Sequence, residues 1–436
     1  MKPMLPTVNS RTTPWRQLTC LVLAIVLGGV IAISPALALN DAQQLVVESW
    51  KLVNQSYVNP ERFEDIRWKR LRQKALEGPI TSSEQAYSAI EAMLSPLGDP
   101  YTRLLRPDDF AVMKASNQGS LSGVGLQLAH GSEDGRIVVI ASLEGSPAAD
   151  AGVVSGTAVL AVNSEPTQEL GLETTAARLR GEVGTQVVLS LETPDGSHQE
   201  LTLERRNVDL RPVRTRRLRR DEHTLGYLRI TQFSEGVPEQ VREAITELSE
   251  KGIEGLVLDL RNNSGGLVSA GLAVADAFLS NEPIVETRNR DGIADPIQAS
   301  SHTLYDGPMV TLVNAGTASA SEILAGALQD DGRSLLLGSR TFGKGLIQTL
   351  TNLSDGSGLA ITVAGYLTPS GRDIQGQGLE PDRLLEQPEP LNPGGDGDRW
   401  LTDAERIVET MLDRTDKTEE ALDAATASEP DPLNAA

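Results

Sequence analysis

Apolar and polar positions change their rhythm several times along the chain. From Asn40 to about Ser116, Val46, Trp50, Val53 and Tyr57 recur at helical spacing. Trp68, Leu71 and Ala75 mark a second segment of the same kind, so this stretch is predicted to be largely helical. It runs from Met93-Leu94 into Ser95-Pro96-Leu97-Gly98-Asp99-Pro100, a cluster of helix breakers. From Gln118 to Arg206 the pattern shortens to strands between glycine turns. Val124, Leu126 and Leu128 alternate, Ile137 to Ile140 is an apolar run, and Val159 to Val162 reads as a strand. Short helices are expected at Pro147 to Ala151 and Thr174 to Leu179. A closing hairpin is expected from Val187–Leu191 and Leu201–Leu203.

Between Leu225 and about Asp382 the strands become largely apolar, as expected in a sheet covered on both faces. Leu256 to Leu260 is the clearest. Asn262-Asn263-Ser264-Gly265-Gly266 turns it into an apolar-rich helix over Leu267 to Leu279. Met309 to Val313 is the next strand, followed by a helix from about Ser319 to Gln329 and strand-like runs at Leu335–Leu337 and Leu359–Val363. This alternation predicts crossover units. Beyond Asp382 the chain turns to proline, glycine and acid. Trp400 to Leu412 is amphipathic enough to dock as a helix, and no structure is expected from Asp413 onward.

The first residues bear on the compartment. Lys2, Arg11 and Arg16 precede an apolar run from Leu18 to Ile33 that ends in Ala36-Leu37-Ala38. A basic region, a short apolar core and an A-x-A site are the parts of a secretory signal, with cleavage expected after Ala38. The run falls short of the roughly 20 residues that span a bilayer, which disfavours an uncleaved anchor. The mature chain is therefore expected to be exported, and soluble or peripheral to a membrane.

Composition then removes whole classes of chemistry. The only cysteine is Cys20, inside the expected signal, so no thiol nucleophile or Cys-ligated metal is expected in the mature protein. The four histidines, His130, His198, His223 and His302, form no close ligand cluster, and no metal or cofactor is expected. A formal charge of −21 argues against nucleic acid as a partner.

Three sites carry candidate chemistry. Ser319 follows a strand and a Gly-Thr turn and opens an apolar helix, where free N–H groups favour negative charge. A hydroxyl there can act as a nucleophile, but Ser319-Ala320-Ser321-Glu322 also matches a capping box, and local pattern favours the cap. Gly265-Gly266 lies at the C-terminal end of its strand, where open α/β sheets bind ligands, but local pattern favours an ordinary strand-to-helix turn. Lys344 lies between Gly343 and Gly345, in a setting that can withdraw an amine from water and lower its pKa. A phosphate loop is not met there, and G-x-S-x-G is absent.

Taken in order, several segments resemble the carboxyl-terminal processing peptidases, or tail-specific proteases. They are SGVGLQL from Ser122, SPAADAG from Ser146, LVLDLRNNSGG from Leu256 and NAGTASASEILAGALQDDGR from Asn314. TFGKGLIQ from Thr341 and TPSGRDIQGQGLEPD from Thr368 complete the set, and Lys344 lies 25 positions after Ser319. The resemblance implies an α+β multidomain chain: an α/β crotonase/ClpP-like serine protease core with an inserted PDZ domain and an N-terminal helical region. The implied divisions are a signal at 1–38, a helical region at 39–117, the PDZ domain at 118–206, the core at 207–385 and an acidic tail at 386–436. It further implies Ser319 as nucleophile, Lys344 as general base, Gln348 orienting the lysine, and the N–H groups of Gly265 and Ala320 as oxyanion hole. Val124, Gly125, Leu126 and Leu128 would receive the C-terminus of a protein substrate. Glu322 and Asp330 match acidic positions of the family motif and are expected to give structural support.

Asp150 stands where the family often has a basic residue, and Ser155-Gly156-Thr157-Ala158 replaces a P-G-D turn, which bears on the grip of that module. The texture is similar to the cyanobacterial and chloroplast branch, which implies the photosystem II D1 precursor as substrate and the thylakoid lumen or periplasm as compartment. The alternatives are a catalytically inactive PDZ scaffold, a small-molecule esterase, and a quality-control protease acting on other periplasmic proteins.

Overall fold

The computed structural model describes residues 39–427 except 119, 131–135, 143–145, 155–156, 210–211 and 391. The expected signal with Cys20, Ser155-Gly156 of the altered turn, and residues 428–436 lie outside the described residues.

The N-terminal stretch is helical, as its periodicity predicts. Helix α1 (Asp41–Ser56) starts at a reciprocal cap: Asn40 Oδ1 accepts from Gln43 N–H at 2.8 Å, and Gln43 Oε1 accepts from Asn40 N–H at 3.2 Å. The short α2 (Arg62–Asp65), α3 (Trp68–Leu76) and α4 (Ser83–Leu94) follow. Trp68 stacks between Trp50 and Phe63, with ring centroids 6.3 and 5.3 Å away. The breaker cluster forms a single 3-10 turn over Ser95–Leu97 and leads to β1 (Arg103–Leu105) and α5 (Pro107–Asn117).

A strand-rich segment comes next. Strands β2 (Ser120–Gly123) and β9 (Arg206–Asp209) pair antiparallel, so the chain enters and leaves this segment side by side. Between them lie β3 (Leu126–His130), β4 (Ile137–Ser142), α6 (Pro147–Asp150), β5 (Ala158–Val162) and β6 (Glu165–Pro166). Helix α7 (Thr167–Leu179), β7 (Gln186–Glu192) and β8 (His198–Glu204) complete it. The sheet order β3-β4-β5-β7-β8 encloses a separate apolar cluster built on Val124, Val139, Val159, Val162, Leu189 and Leu191.

The remaining chain builds two more sheets. One has the order β10-β11-β12-β16-β17-β20. It comprises β10 (Val213–Arg220), β11 (His223–Ile230), β12 (Gly255–Asp259), β16 (Met309–Val313), β17 (Leu335–Gly338) and β20 (Arg383–Leu384). All pairs are parallel except β10–β11. Every residue of β12 and β16 is buried, which is why they read as largely apolar runs. Helices α8 (Val237–Glu250), α9 (Val268–Ala275) and α10 (Ala320–Asp330) contribute to one apolar cluster with this sheet.

The other sheet joins β13 (Pro283–Asn289), β14 (Gly292–Ile293), β15 (Ile297–Gln298), β18 (Leu346–Asn352) and β19 (Gly358–Leu367) to β1. Leu359 and Ile361 of β19 share one cluster with the N-terminal helices. The helical stretch thus packs into the core rather than standing apart from it.

Helix α11 (Arg399–Ala427) covers the opposite face of the parallel sheet with Trp400, Ala404, Val408 and Leu412. The expected helix at Trp400–Leu412 is therefore present, but the expectation of no structure from Asp413 is corrected: the helix continues to Ala427. The helix expected over Leu267–Leu279 is shorter, ending at Ala275.

His223, at the start of β11, ties α11 to the sheet. Its Nδ1 lies 2.6 Å from Glu254 Oε2 and its Nε2 3.4 Å from Asp413 Oδ1. Chiefly through Glu254, against some burial, the imidazole pKa is raised, and the Glu254 carboxyl is lowered in return. The imidazole's contribution is complete below its unfolded pKa of about 6.5 and is lost as pH rises through the raised folded value. Glu254's contribution is present above about 4.3 and is lost as pH falls through its lowered value. The protection factors of α11 amides around Asp413, that is, exchange corrected for its intrinsic base-catalysed rise with pH, are thus expected to be highest between those limits and to fall as pH rises through the raised imidazole pKa. In His223→Gln this difference should vanish; an unchanged pH response in the variant would refute the link.

Candidate active site

Two strand ends and one loop meet at the C-terminal edge of the parallel sheet. After β12 the backbone turns through Asn262 at φ 59°, Gly265 at φ 98° and Gly266 at φ 139°. A Cβ on Gly265 would lie 2.8 Å from both Ala318 O and Ser319 Cβ, and one on Gly266 would lie 2.2 Å from Phe233 O. Glycine is required at both positions by close backbone approach as well as by φ. The same contact sets the backbone of Gly265 against Ser319.

Ser319 has φ 57° and ψ −120°, a sparsely populated conformation for a residue with a side chain. It is 8% exposed at the entrance to α10, whose residues from Ala320 to Leu328 are all buried. Tyr366 Oη donates to the Ser319 carbonyl at 3.1 Å. Ser321 is a different case: it is fully buried and its hydroxyl donates to Asn263 O at 2.9 Å.

Glu322 is fully buried and gathers the pieces. Its Oε2 accepts from the N–H of Ser319 and of Lys344, each at 2.9 Å. Its Oε1 accepts from Gly343 N–H at 2.7 Å and from Thr341 Oγ1 at 2.5 Å. The capping-box glutamate therefore reaches back to Ser319 and also holds the loop that carries Lys344. Glycine flanks that lysine because a Cβ on Gly343 would lie 2.7 Å from Gly378 N and one on Gly345 would lie 3.0 Å from Gln375 N.

The Lys344 amine rests 5.1 Å from the centre of the Tyr101 ring. Burial pushes its pKa down and Arg103 adds to this, while Asp99 and Glu322 oppose it. Among the described residues no hydrogen bond joins the Lys344 amine to the Ser319 hydroxyl or to Gln348. Gln348 Nε2 is buried and unpartnered. Catalytic hydrogen bonds often tighten only when substrate is bound.

Of the candidate oxyanion donors, Ala320 N–H opens α10 and so lies outside the helical hydrogen-bond ladder. Gly265 N–H donates to Asn263 Oδ1 at 3.0 Å. The structure thus brings Ser319, Ala320 and Gly265 together, ties the Lys344 backbone to them, and leaves the lysine amine and Gln348 uncoupled from the hydroxyl.

Behind the turn is a buried ion cluster that sequence reading missed. Arg261 forms paired hydrogen bonds with Asp259 (2.9 and 2.6 Å) and with Asp398 (3.1 and 2.6 Å). Arg229 approaches Asp259 at 3.0 Å, and Tyr227 Oη donates to it at 2.7 Å. Burial pushes the Asp259 carboxyl up, but Arg261 and Arg229 outweigh it and hold its pKa below the usual range. The available signal was charge inside an apolar run, Asp259 and Arg261 in LVLDLR. Tyr101, Asp99 and Arg103 left no such signal, since only folding brings them to Lys344.

The other predicted binding residues are separate from this cluster. Val124 is buried in the core of the strand-rich segment and its carbonyl accepts from Ala148 N–H at 3.0 Å. Gly125 has φ 74°. Leu126 and Leu128 lie partly buried on β3, the open edge of that sheet among the described residues. Asp150 pairs with Arg206, so its acidic character is matched across the segment.

Comparison with known proteins agrees with this architecture. The model of peptidase family S41 matches residues 224–385. A carboxyl-terminal-processing protease of Synechocystis sp. is 44% identical, the match covering 86% of this chain and 88% of that protein. Carboxyl-terminal-processing peptidase 3, chloroplastic, of Arabidopsis thaliana is 40% identical, with 80% and 70% covered. Among solved structures, a photosystem II D1 C-terminal processing protease superposes with a TM-score of 0.62 at 38% identity, covering 81% of this chain and 96% of that one.

Replacing Glu322 by glutamine would turn one acceptor oxygen into a donor facing donors. Hydrogen bonds to a charged group contribute about 1.5–3 kcal/mol each, so Glu322→Gln is expected to lower stability by roughly 3 kcal/mol or more in urea unfolding. Amide exchange at Gly343 and Lys344 should accelerate with it. Unaltered exchange at those two amides would show that the carboxylate does not hold the loop.

Proposed function

The chain belongs to the S41 carboxyl-terminal-processing proteases, and from that premise we propose that it is a serine endopeptidase with Ser319 as nucleophile and Lys344 as general base. The observation that carries this reading is the Glu322 carboxylate, which holds the Ser319 turn and the Lys344 loop on one buried charge. The strained, nearly buried serine and the adjoining Gly265 backbone support it further.

The chemistry follows from these groups. Neutral Lys344 takes the hydroxyl proton of Ser319 as Oγ attacks the peptide carbonyl. The N–H groups of Ala320 and Gly265 receive the oxyanion, Gly265 being shared with or released from Asn263. Collapse breaks the C–N bond, and the lysine returns its proton to the leaving amine. Water then attacks the acyl-enzyme, giving one proton to Lys344 as its oxygen bonds to carbon. Breakdown of the second intermediate returns that proton to Ser319. Before the first step the lysine amine must leave the Tyr101 ring, and Gln348, with a free buried amide, is suited to hold it in the reactive position.

The strand-rich segment at 118–206 is read as a PDZ domain. Its open β3 edge, Gly125 in the preceding loop, and Leu126 and Leu128 suit an added strand ending in a free carboxylate. With the helical stretch at 39–117 and the core at 207–385, it makes a protease that engages C-termini. The D1 precursor of photosystem II is the proposed substrate, supported by the name of the similar solved structure. The thylakoid lumen or periplasm is the proposed compartment, with peripheral membrane association. Among the described residues no helix is long and apolar enough to cross a membrane.

The chain from Leu39 onward is expected to cleave an unstructured protein with an apolar C-terminus and to release a defined fragment from D1 precursor, read by mass spectrometry. Ser319→Ala should abolish turnover while leaving the fold intact; equal cleavage by this variant refutes the assignment. Amidation of the substrate C-terminus should raise KM if β3 receives a carboxylate, and no change would remove that role.

The base has its own test. Only the neutral amine accepts a proton, so activity should rise with pH through the lowered pKa of Lys344. A flat profile of the chemical step from about pH 5 to 9 would exclude it.

A further inference from the structure

The chain carries 60 acidic against 39 basic residues, yet β10 reads Val-Arg-Thr-Arg-Arg-Leu-Arg-Arg. Five arginines stand in one strand without a single acid between them. Among the described residues the strand is the outer edge of the parallel sheet and pairs only with β11. Val213 packs toward the cluster of α8, and Leu218 toward that of α11. Alternation then puts Arg217 and Arg219 on the first face and Arg214 and Arg216 on the second. These four are exposed.

Two of the five face acid on α11: burial raises the pKa of the half-buried Glu405 carboxyl, and Arg220 and Arg216 pull it down. Arg220 lies 3.5 Å from Glu409, and the Arg216 guanidinium lies 5.4 Å from the Tyr227 ring centre. Among the described residues no carboxylate is within ion-pair distance of Arg214, Arg217 or Arg219. Two neighbouring pairs on α8, Arg242–Glu239 and Lys251–Glu247, are satisfied within the helix. Charged side chains on an edge strand also keep it from pairing with another chain. The exposed Arg214, Arg217 and Arg219, with no ion-pair partner among the described residues, have the charge pattern of a surface open to an external anion.

We propose that β10 docks the protein on an anionic bilayer surface. The guanidinium groups leave the strand on both faces and follow its length, so positive charge is spread along a stripe. A plane of headgroups fits that distribution better than a single anion. The excess negative charge elsewhere opposes this little, because interactions beyond about 8 Å are screened at physiological salt. Asp221 and Glu222 close the far end of β10, while Arg214 stands near the end where β11 leads to Phe233 and the Gly265 turn. Docking along this edge therefore sets the candidate active site near the surface. The bearing on a membrane-borne substrate rests on the proposed function; the surface itself does not.

Sedimentation with phosphatidylcholine vesicles containing about a third phosphatidylglycerol tests the proposal. The chain from Leu39 onward is expected to pellet with these vesicles and not with pure phosphatidylcholine, and to be released by 0.5 M salt. An arginine near an anionic leaflet is worth about fivefold in binding, so the triple variant Arg214→Gln, Arg217→Gln, Arg219→Gln should lose roughly a hundredfold. The corresponding triple lysine variant should retain most of the binding. Turnover of a soluble peptide is expected to be unchanged in both, and is measured separately, so that a failed protease assignment leaves the vesicle result standing. No pelleting by the parent chain, equal pelleting by the glutamine variant, or capture by an acidic peptide in place of vesicles would each overturn the proposal.

Discussion

One buried carboxylate organises the site. Glu322 sits without solvent in an apolar helix, and a charge there is tolerable only if donors replace the water it has lost. Three backbone N–H groups and a hydroxyl do so, and they come from two different chain segments, the Ser319 turn and the Thr341–Lys344 loop. Satisfying the charge therefore requires that the segments meet. A structural demand, the desolvation of one acid, thereby holds the Ser319 turn and the backbone of the Lys344 loop together. It also removes the opposition between capping and catalysis at Ser319. The glutamate of the capping box is the group that fixes the serine's backbone, and a positive φ is held there because several partners over-determine it.

A second charge cluster extends this logic across the sheet. Arg261 bridges Asp259 on β12 and Asp398 at the start of α11, and all three are almost wholly buried. Such clusters are seldom net stabilising compared with apolar packing, but removing one member leaves an uncompensated charge and is costly. Asp398 also accepts from Leu401 N–H at 2.9 Å, capping α11. The terminal helix and the turn that carries Gly265 are in this way parts of one electrostatic unit, although 137 residues separate Arg261 from Asp398 in the chain.

Much of the fold was legible because its periods are strong. The buried strands β12 and β16 and the helix after Ser319 appear within a residue or two of their expected limits, since continuous apolar runs bounded by Asn and Gly leave little choice. The sheet built from β13, β18 and β19 was read only in part, because β13 and β18 are mixed strands whose partners lie far along the chain. Residues beyond Asp413 look disordered by composition, yet helix α11 carries on through them to Ala427. For the site, Ser319, Gly265 and Lys344 were each ambiguous locally. What joins them is a set of hydrogen bonds to Glu322 and a glycine contact with Ser319, neither of which spacing encodes. Tyr101 and Asp99 were invisible for the same reason: they belong to a breaker-rich connection that only tertiary packing brings to the lysine.

The position of the Lys344 amine bears on how such a site is switched on. A cation over an aromatic ring is held by about 0.5–2 kcal/mol, and the nearby Asp99 charge favours the protonated form there. Burial and Arg103 favour the neutral form. These tendencies oppose each other, and the net direction is a pKa below that of a free lysine. Under the proposed mechanism, a substrate that binds better to an arrangement with the amine beside Ser319, by an amount comparable to the ring contact, shifts the population toward it. Excluding water from the cleft acts in the same direction, because it penalises the charged amine most. Binding energy is then spent on proton acceptance rather than on tighter holding, which is the use that accelerates a chemical step.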